Sequence, residues 1–126
     1  MCSFRKILIV INDGFGKICS AILNEEGFDT ILACSLEEAV QHGSNDTISL
    51  IVSDYSHAGS FLKDQLLSDI PRIILTNEFN KELMEGMKLI KNSICLVKPL
   101  DFERFRYIVR GIMNGYVNLT GGNIIA

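Results

Sequence analysis

Five short apolar runs rich in β-branched residues set the rhythm of this chain: Ile7–Ile11, Thr30–Cys34, Ile48–Ser53, Arg72–Thr76 and Ile94–Val97. Runs of this length without polar alternation suit strands covered on both faces. Between them the period changes from strand-like to helical. Phe15, Ile18, Cys19, Ile22 and Leu23 recur at helical spacing, and Gly27 follows as a stop. Ser35-Leu36-Glu37-Glu38 reads as a capping box opening a helix closed by Gly43, and Phe61–Leu67 reads as a shorter helix. Asn80 can cap a helix carrying Leu83, Met87 and Ile90, and Asp101 one carrying Phe102, Phe105, Val109 and Ile112. Strand–helix alternation repeated in this way predicts an α/β fold, a doubly wound, five-stranded parallel sheet with helices on both faces.

Composition fits that architecture and excludes several others. The 126 residues suit one domain, and 48% hydrophobic with 21% charged residues excludes a disordered chain. Net charge is 12 − 15 = −3, with no basic footprint for nucleic acid or an anionic membrane. The apolar runs are far too short for a membrane span or a signal-peptide core, so the expected location is the cytoplasm. Cys2, Cys19, Cys34 and Cys95 form no C-x-x-C pair and do not cluster with the two histidines, so they read as buried reduced thiols. Gly14-Phe15-Gly16-Lys17 follows a strand, but Ile11 and Ile18 break a phosphate-loop pattern and Cys19 breaks the dinucleotide one. His57 beside Ser56 has no nucleophile-elbow context and reads as a loop histidine.

In doubly wound sheets, ligands bind at the carboxyl ends of the strands. That rule gathers Asp13, Asp54, Thr76 and Lys98 at one rim. Two carboxylates there can hold an octahedral Mg²⁺, which takes a few oxygen ligands plus waters and phosphate. A phosphoryl group arriving on a carboxylate needs its charge balanced by a metal, an ammonium and a hydroxyl donor. Each residue alone also has an ordinary reading: Asp54 as a loop cap, Thr76 as a strand residue, Lys98 as a solvated lysine, Asp13 as a turn former.

The stretches KILIVIND at 6–13, SLIVSDYS at 49–56, PRIILTNE at 71–78 and CLVKPL at 95–100 resemble the receiver domain of two-component response regulators. The resemblance covers roughly residues 4–115, with 116–126 as a tail, and rests chiefly on Leu75-Thr76 paired with Lys98-Pro99 after an aspartate ending the third strand. It implies a stand-alone receiver of the flavodoxin-like type, a signalling module rather than an enzyme. Asp54 would accept a phosphoryl group from a phosphohistidine on a sensor histidine kinase or histidine phosphotransfer protein. Lys98 would pair with the phosphoryl oxygens and Thr76 would hydrogen-bond to them. The resemblance also implies Mg²⁺ held by Asp54, by Asn12 or Asp13, and by the backbone carbonyl of Ser56. Output through the face of the family's fourth helix, fifth strand and fifth helix would go to a separate effector protein; Lys81, Glu82, Glu85, Arg104, Arg106 and Tyr107 are its exposed candidates here.

Three departures mark the sequence. The acidic pair after the first strand reads Ile11-Asn12 or Asn12-Asp13, according to where one residue is gapped. The stretch from Asp54 to Thr76 is about eight residues short of the family pattern and predicts a shortened third helix. Cys95 stands where an aromatic switch residue is expected, three positions before the lysine. The first two motivate the alternative of a pseudo-receiver, a phosphorylation-independent interaction module. A small-ligand-binding domain of the same architecture ranks behind both, because no recognisable phosphate loop is present.

Overall fold

A computed structural model describes residues 6–11, 14–33, 38, 41, 48–54, 70–78, 80–87, 92–98, 100–115 and 123–125. The strands are β1 (Lys6–Val10), β2 (Asp29–Ala33), β3 (Ile48–Asp54), β4 (Arg72–Thr76), β5 (Ser93–Val97) and β6 (Asn123–Ile125). The helices are α1 (Gly14–Glu25), α2 (Lys81–Met87) and α3 (Phe102–Met113). All strand pairs are parallel, in the order β2-β1-β3-β4-β5-β6. The order reverses direction at β1, so the crevice between the ends of β1 and β3 is the switch point where such sheets bind ligands. The five expected strands are present within one residue at either end. The sixth lies in the tail, pairing Ser93 with Asn123, Ile94 with Ile124 and Cys95 with Ile125.

Unalternated strands form here because the pleat sends successive side chains into two different apolar layers. Ile7, Ile9, Leu50, Val52, Ile73, Leu75, Ile94 and Leu96 face one layer, where they pack with Cys19, Leu23, Phe105, Val109 and Met113 of α1 and α3. Leu8, Val10, Ala33 and Ile51 form the opposite layer. Each such fully buried aliphatic side chain contributes about 1.5–3 kcal/mol relative to leaving it exposed. β6 lies along the outer edge of β5, where an apolar strand would otherwise present unpaired backbone groups.

Local chemistry sets the helix ends. Gly27 has φ +95°, the left-handed conformation that stops α1 as expected. Asn80 Oδ1 accepts the Leu83 backbone N–H at 2.8 Å, and Asp101 Oδ1 accepts those of Glu103 and Arg104 at 3.1 and 3.2 Å. Both caps therefore sit where the sequence predicts them. Gly16 brings the start of α1 down onto the end of β1: a Cβ there would lie 3.0 Å from the Ile11 carbonyl oxygen and 3.5 Å from Leu32. The capping box at 35–37, the helix expected over 61–67, and Gly43, Cys2, Cys34 and Ile90 lie outside the described residues.

Candidate functional site

Strand register assembles the rim. Asp54 is the last residue of β3 and pairs with Leu75 of β4. Thr76 is one step beyond Leu75 and pairs with Val97 of β5, and Lys98 follows Val97. Three residues far apart in sequence thus stand at, or one step beyond, the carboxyl ends of three adjacent strands, and neighbouring strands run about 4.8 Å apart. The Lys98 backbone N–H donates to the Thr76 carbonyl at 2.7 Å, which ties the two ends together. Val10 pairs with Ser53, so Ile11 leads the chain to the same rim beside Asp54. Of the expected metal ligands, Asp54 is described, whereas Asn12, Asp13 and Ser56 lie outside the described residues, as does Pro99.

Strand parity divides the three side chains. Asp54 continues the series Leu50, Val52, and Lys98 the series Ile94, Leu96, so both belong to the α1/α3 side of the sheet. Thr76 continues Arg72 and Ile74 and belongs to the other side. Its hydroxyl donates to the Glu78 carbonyl at 3.2 Å. Any other acceptor at this strand end would have to compete with Glu78 for this donor.

The ammonium of Lys98 has an aromatic neighbour that helical spacing alone does not connect to it. Lys98 Nζ lies 4.6 Å from the centroid of the Phe15 ring, at the start of α1. Phe15 in turn packs on Phe102, at the start of α3, with ring centroids 6.3 Å apart. Both rings lean on the core of the α1/α3 side. The available signal was position: each phenylalanine lies in the first turn of the helix that follows a rim-forming strand. Helical periodicity alone reads such residues as core.

Cys95 occupies the position of the expected switch aromatic, on β5 beside Ile74 and fully buried. Burial pushes its thiol up from the ordinary 9.0 to about 11. The unfolded chain loses this proton near pH 9, whereas the native state keeps it until about pH 11. The protonated thiol therefore contributes its full share of stability below pH 9 and loses it between pH 9 and 11. A displacement of this size caps the loss at about 3 kcal/mol. Urea titrations of the wild type and Cys95→Ala between pH 8 and 11 measure it. The stability difference between the two proteins is expected to shrink above pH 9, and a constant difference would contradict this. Cys19 is likewise buried and outside any disulfide.

Mg²⁺ takes oxygen ligands, and the expected set, the Asp54 carboxylate with the side chain of Asn12 or Asp13 and the Ser56 carbonyl, would offer it oxygen donors alone. Among the described residues no group of three or more His, Cys, Asp and Glu side chains converges, and the other expected ligands, at 12, 13 and 56, lie outside the described residues. Of the expected output residues, Lys81, Glu82, Glu85, Arg104 and Tyr107 are exposed and Arg106 is half-buried. No helix among the described residues is long and apolar enough to cross a membrane.

No protein-family model and no curated protein sequence matches the chain. Solved structures do. The chemotaxis protein CheY4 of Vibrio cholerae superposes with a TM-score of 0.74 at 19% identity, over 87% of this chain and 99% of that one. A CheY-like response regulator receiver domain protein of Methanospirillum hungatei gives 0.75 at 18%, over 90% and 96%. The N-terminal domain of a response regulator/sensory box/GGDEF three-domain protein of Carboxydothermus hydrogenoformans gives 0.73 at 26%, over 88% and 95%. Over most of its length, the chain has the fold of response-regulator receiver domains.

Proposed function

We propose that this protein is a phosphoacceptor receiver in two-component signalling. A carboxylate oxygen of Asp54 bonds to phosphorus while the N–P bond of a partner's phosphohistidine breaks, and the electron pair leaves with the imidazole nitrogen. The observation that carries this reading is the register that stations Asp54, Thr76 and Lys98 at the carboxyl ends of β3, β4 and β5. Lys98 supplies an ammonium to the phosphoryl oxygens on the side of the sheet that Asp54 faces. Thr76 supplies a hydroxyl once it releases Glu78. Asp54, Asn12 or Asp13, and the Ser56 carbonyl would hold Mg²⁺, which when bound neutralises part of the phosphoryl charge.

The phosphoryl donor is a histidine kinase or a histidine phosphotransfer protein, and output passes to an effector. Signalling requires that the added charge favour one of two surface conformations. Moving a population from about 1:99 to 99:1 takes roughly 5.5 kcal/mol of differential stabilisation. A buried Cys95 offers Thr76 no aromatic ring to swing with it, so the response is expected to fall short of that full shift.

Incubation with Mg²⁺ and a small acyl phosphate tests the reading by intact mass. The wild type is expected to gain one phosphoryl group and Asp54→Asn none. No gain in the wild type across a wide Mg²⁺ range would replace this function with that of a phosphorylation-independent interaction module.

A further inference from the structure

We propose that Phe15 is a positioning residue for Lys98: its ring face parks the ammonium at the strand ends, on the side of the sheet that Asp54 faces. The inference rests on the phosphoacceptor reading and deepens it. Lys98 is held at two points. Its backbone N–H is fixed to the Thr76 carbonyl at 2.7 Å, and its Nζ lies 4.6 Å from the Phe15 centroid. A lysine side chain has four flexible bonds and a strongly hydrated head, so with its backbone alone fixed it samples many solvent-facing rotamers. The electron-rich face of an aromatic ring attracts a cation within about 6 Å of its centroid and so narrows that distribution.

The ring is itself held in place. Phe102 packs against it at 6.3 Å, with the two planes inclined by 31°. Both rings rest on the α1/α3 core layer. The absence of a Cβ at Gly16 lets α1 approach to where a methyl would lie 3.0 Å from the Ile11 carbonyl oxygen. This close approach sets the start of α1, and with it Phe15, at the end of β1. Parity then matters, because Asp54 and Lys98 share the side of the sheet on which α1 packs. The Phe15 ring is thus a platform beside the acceptor, and its chemistry is attraction of a cation rather than contact with the reacting atoms.

The test compares Phe15→Leu, which keeps an apolar side chain against Phe102 but has no ring, with Phe15→Tyr, which keeps the ring face. In the wild type the Lys98 ε-methylene protons are expected to show an upfield ring-current shift by NMR. That shift should vanish in Phe15→Leu and persist in Phe15→Tyr. Phosphorylation by a small acyl phosphate at fixed Mg²⁺ should slow about five-fold in Phe15→Leu and recover in Phe15→Tyr. Far-UV circular dichroism at the assay temperature should show all three proteins fully folded, which separates positioning from loss of the fold. Absence of the ring-current shift in the wild type overturns the proposal. So does a Phe15→Leu protein that is phosphorylated as fast as the wild type or faster, since the ring would then restrain Lys98 away from Asp54. A Phe15-dependent shift in a protein that takes no phosphoryl group supports the placement of Lys98 and overturns the phosphoacceptor reading instead.

Discussion

Replacing Lys98 by methionine is expected to slow phosphorylation of Asp54 about 100-fold at constant Mg²⁺ and phosphodonor. In the proposed transfer the charge would grow at the end of β3, and Lys98, one step beyond the Thr76–Val97 pair, is a strand-end cation on that side of the sheet. A fixed donor aimed at developing charge is worth about 10²–10³ in rate when the site is shielded from water. Lys98 is half-buried, which points to the lower end of that range. Lys98→Arg keeps the charge but presents a planar fork instead of a point charge, so partial activity is expected. The backbone bond from Lys98 to Thr76 survives either change, so melting temperatures should match the wild type. Time courses of intact mass give the rates. A Lys98→Met rate within about three-fold of wild type would remove Lys98 from the site.

The second large effect concerns the layer that supports this rim. Phe105→Ala is expected to cost about 3–5 kcal/mol of stability, measured as a lowered urea midpoint with an unchanged slope. Phe105 is fully buried on α3, in the same layer as Leu50, Val52, Leu75 and Leu96. Those residues lead into Asp54, Thr76 and Lys98. Neighbours on three strands and two helices cannot all relax into the space left by a lost ring, so a cavity remains. Domains have only about 5–15 kcal/mol in total, so this variant approaches the unfolding threshold. A loss below about 1 kcal/mol would show that the site collapses and that α3 is not fixed by this residue.

Much of the fold was legible because strand and helix periods differ. The run Arg72–Thr76 reads as a strand and is one, residue for residue. Asp101 and Asn80 read as helix caps because their short side chains compete for backbone N–H groups, and both do so here. β6 was not legible. Asn123–Ile125 is three residues of weak signal, and an edge strand this short acquires its identity from pairing with β5. Among the methionines at helical apolar positions, Met113 is buried, whereas Met84 is exposed at 42%. Period alone does not say which side of a short helix meets a neighbour.

The candidate site divides in the same way. Asp54, Thr76 and Lys98 could be named from the chain because residue type and the ends of apolar runs carry that information locally. Their partners could not. Whether Lys98 extends into water or over an aromatic ring is a contact between segments separated by tens of residues, and whether the Thr76 hydroxyl turns to the Glu78 carbonyl two positions on or across to β3 depends on how β4 is seated in the sheet. Phe15 and Lys98 are 83 positions apart, and only the parallel order of the strands and the close seating of α1 at Gly16 bring them together. The sequence by itself determined which chemical groups arrive at the carboxyl edge of the sheet, since hydrophobic period and strand ends are local properties. The tertiary structure alone decided what each group touches there, since register, parity and helix approach arise from packing the whole sheet between its two layers.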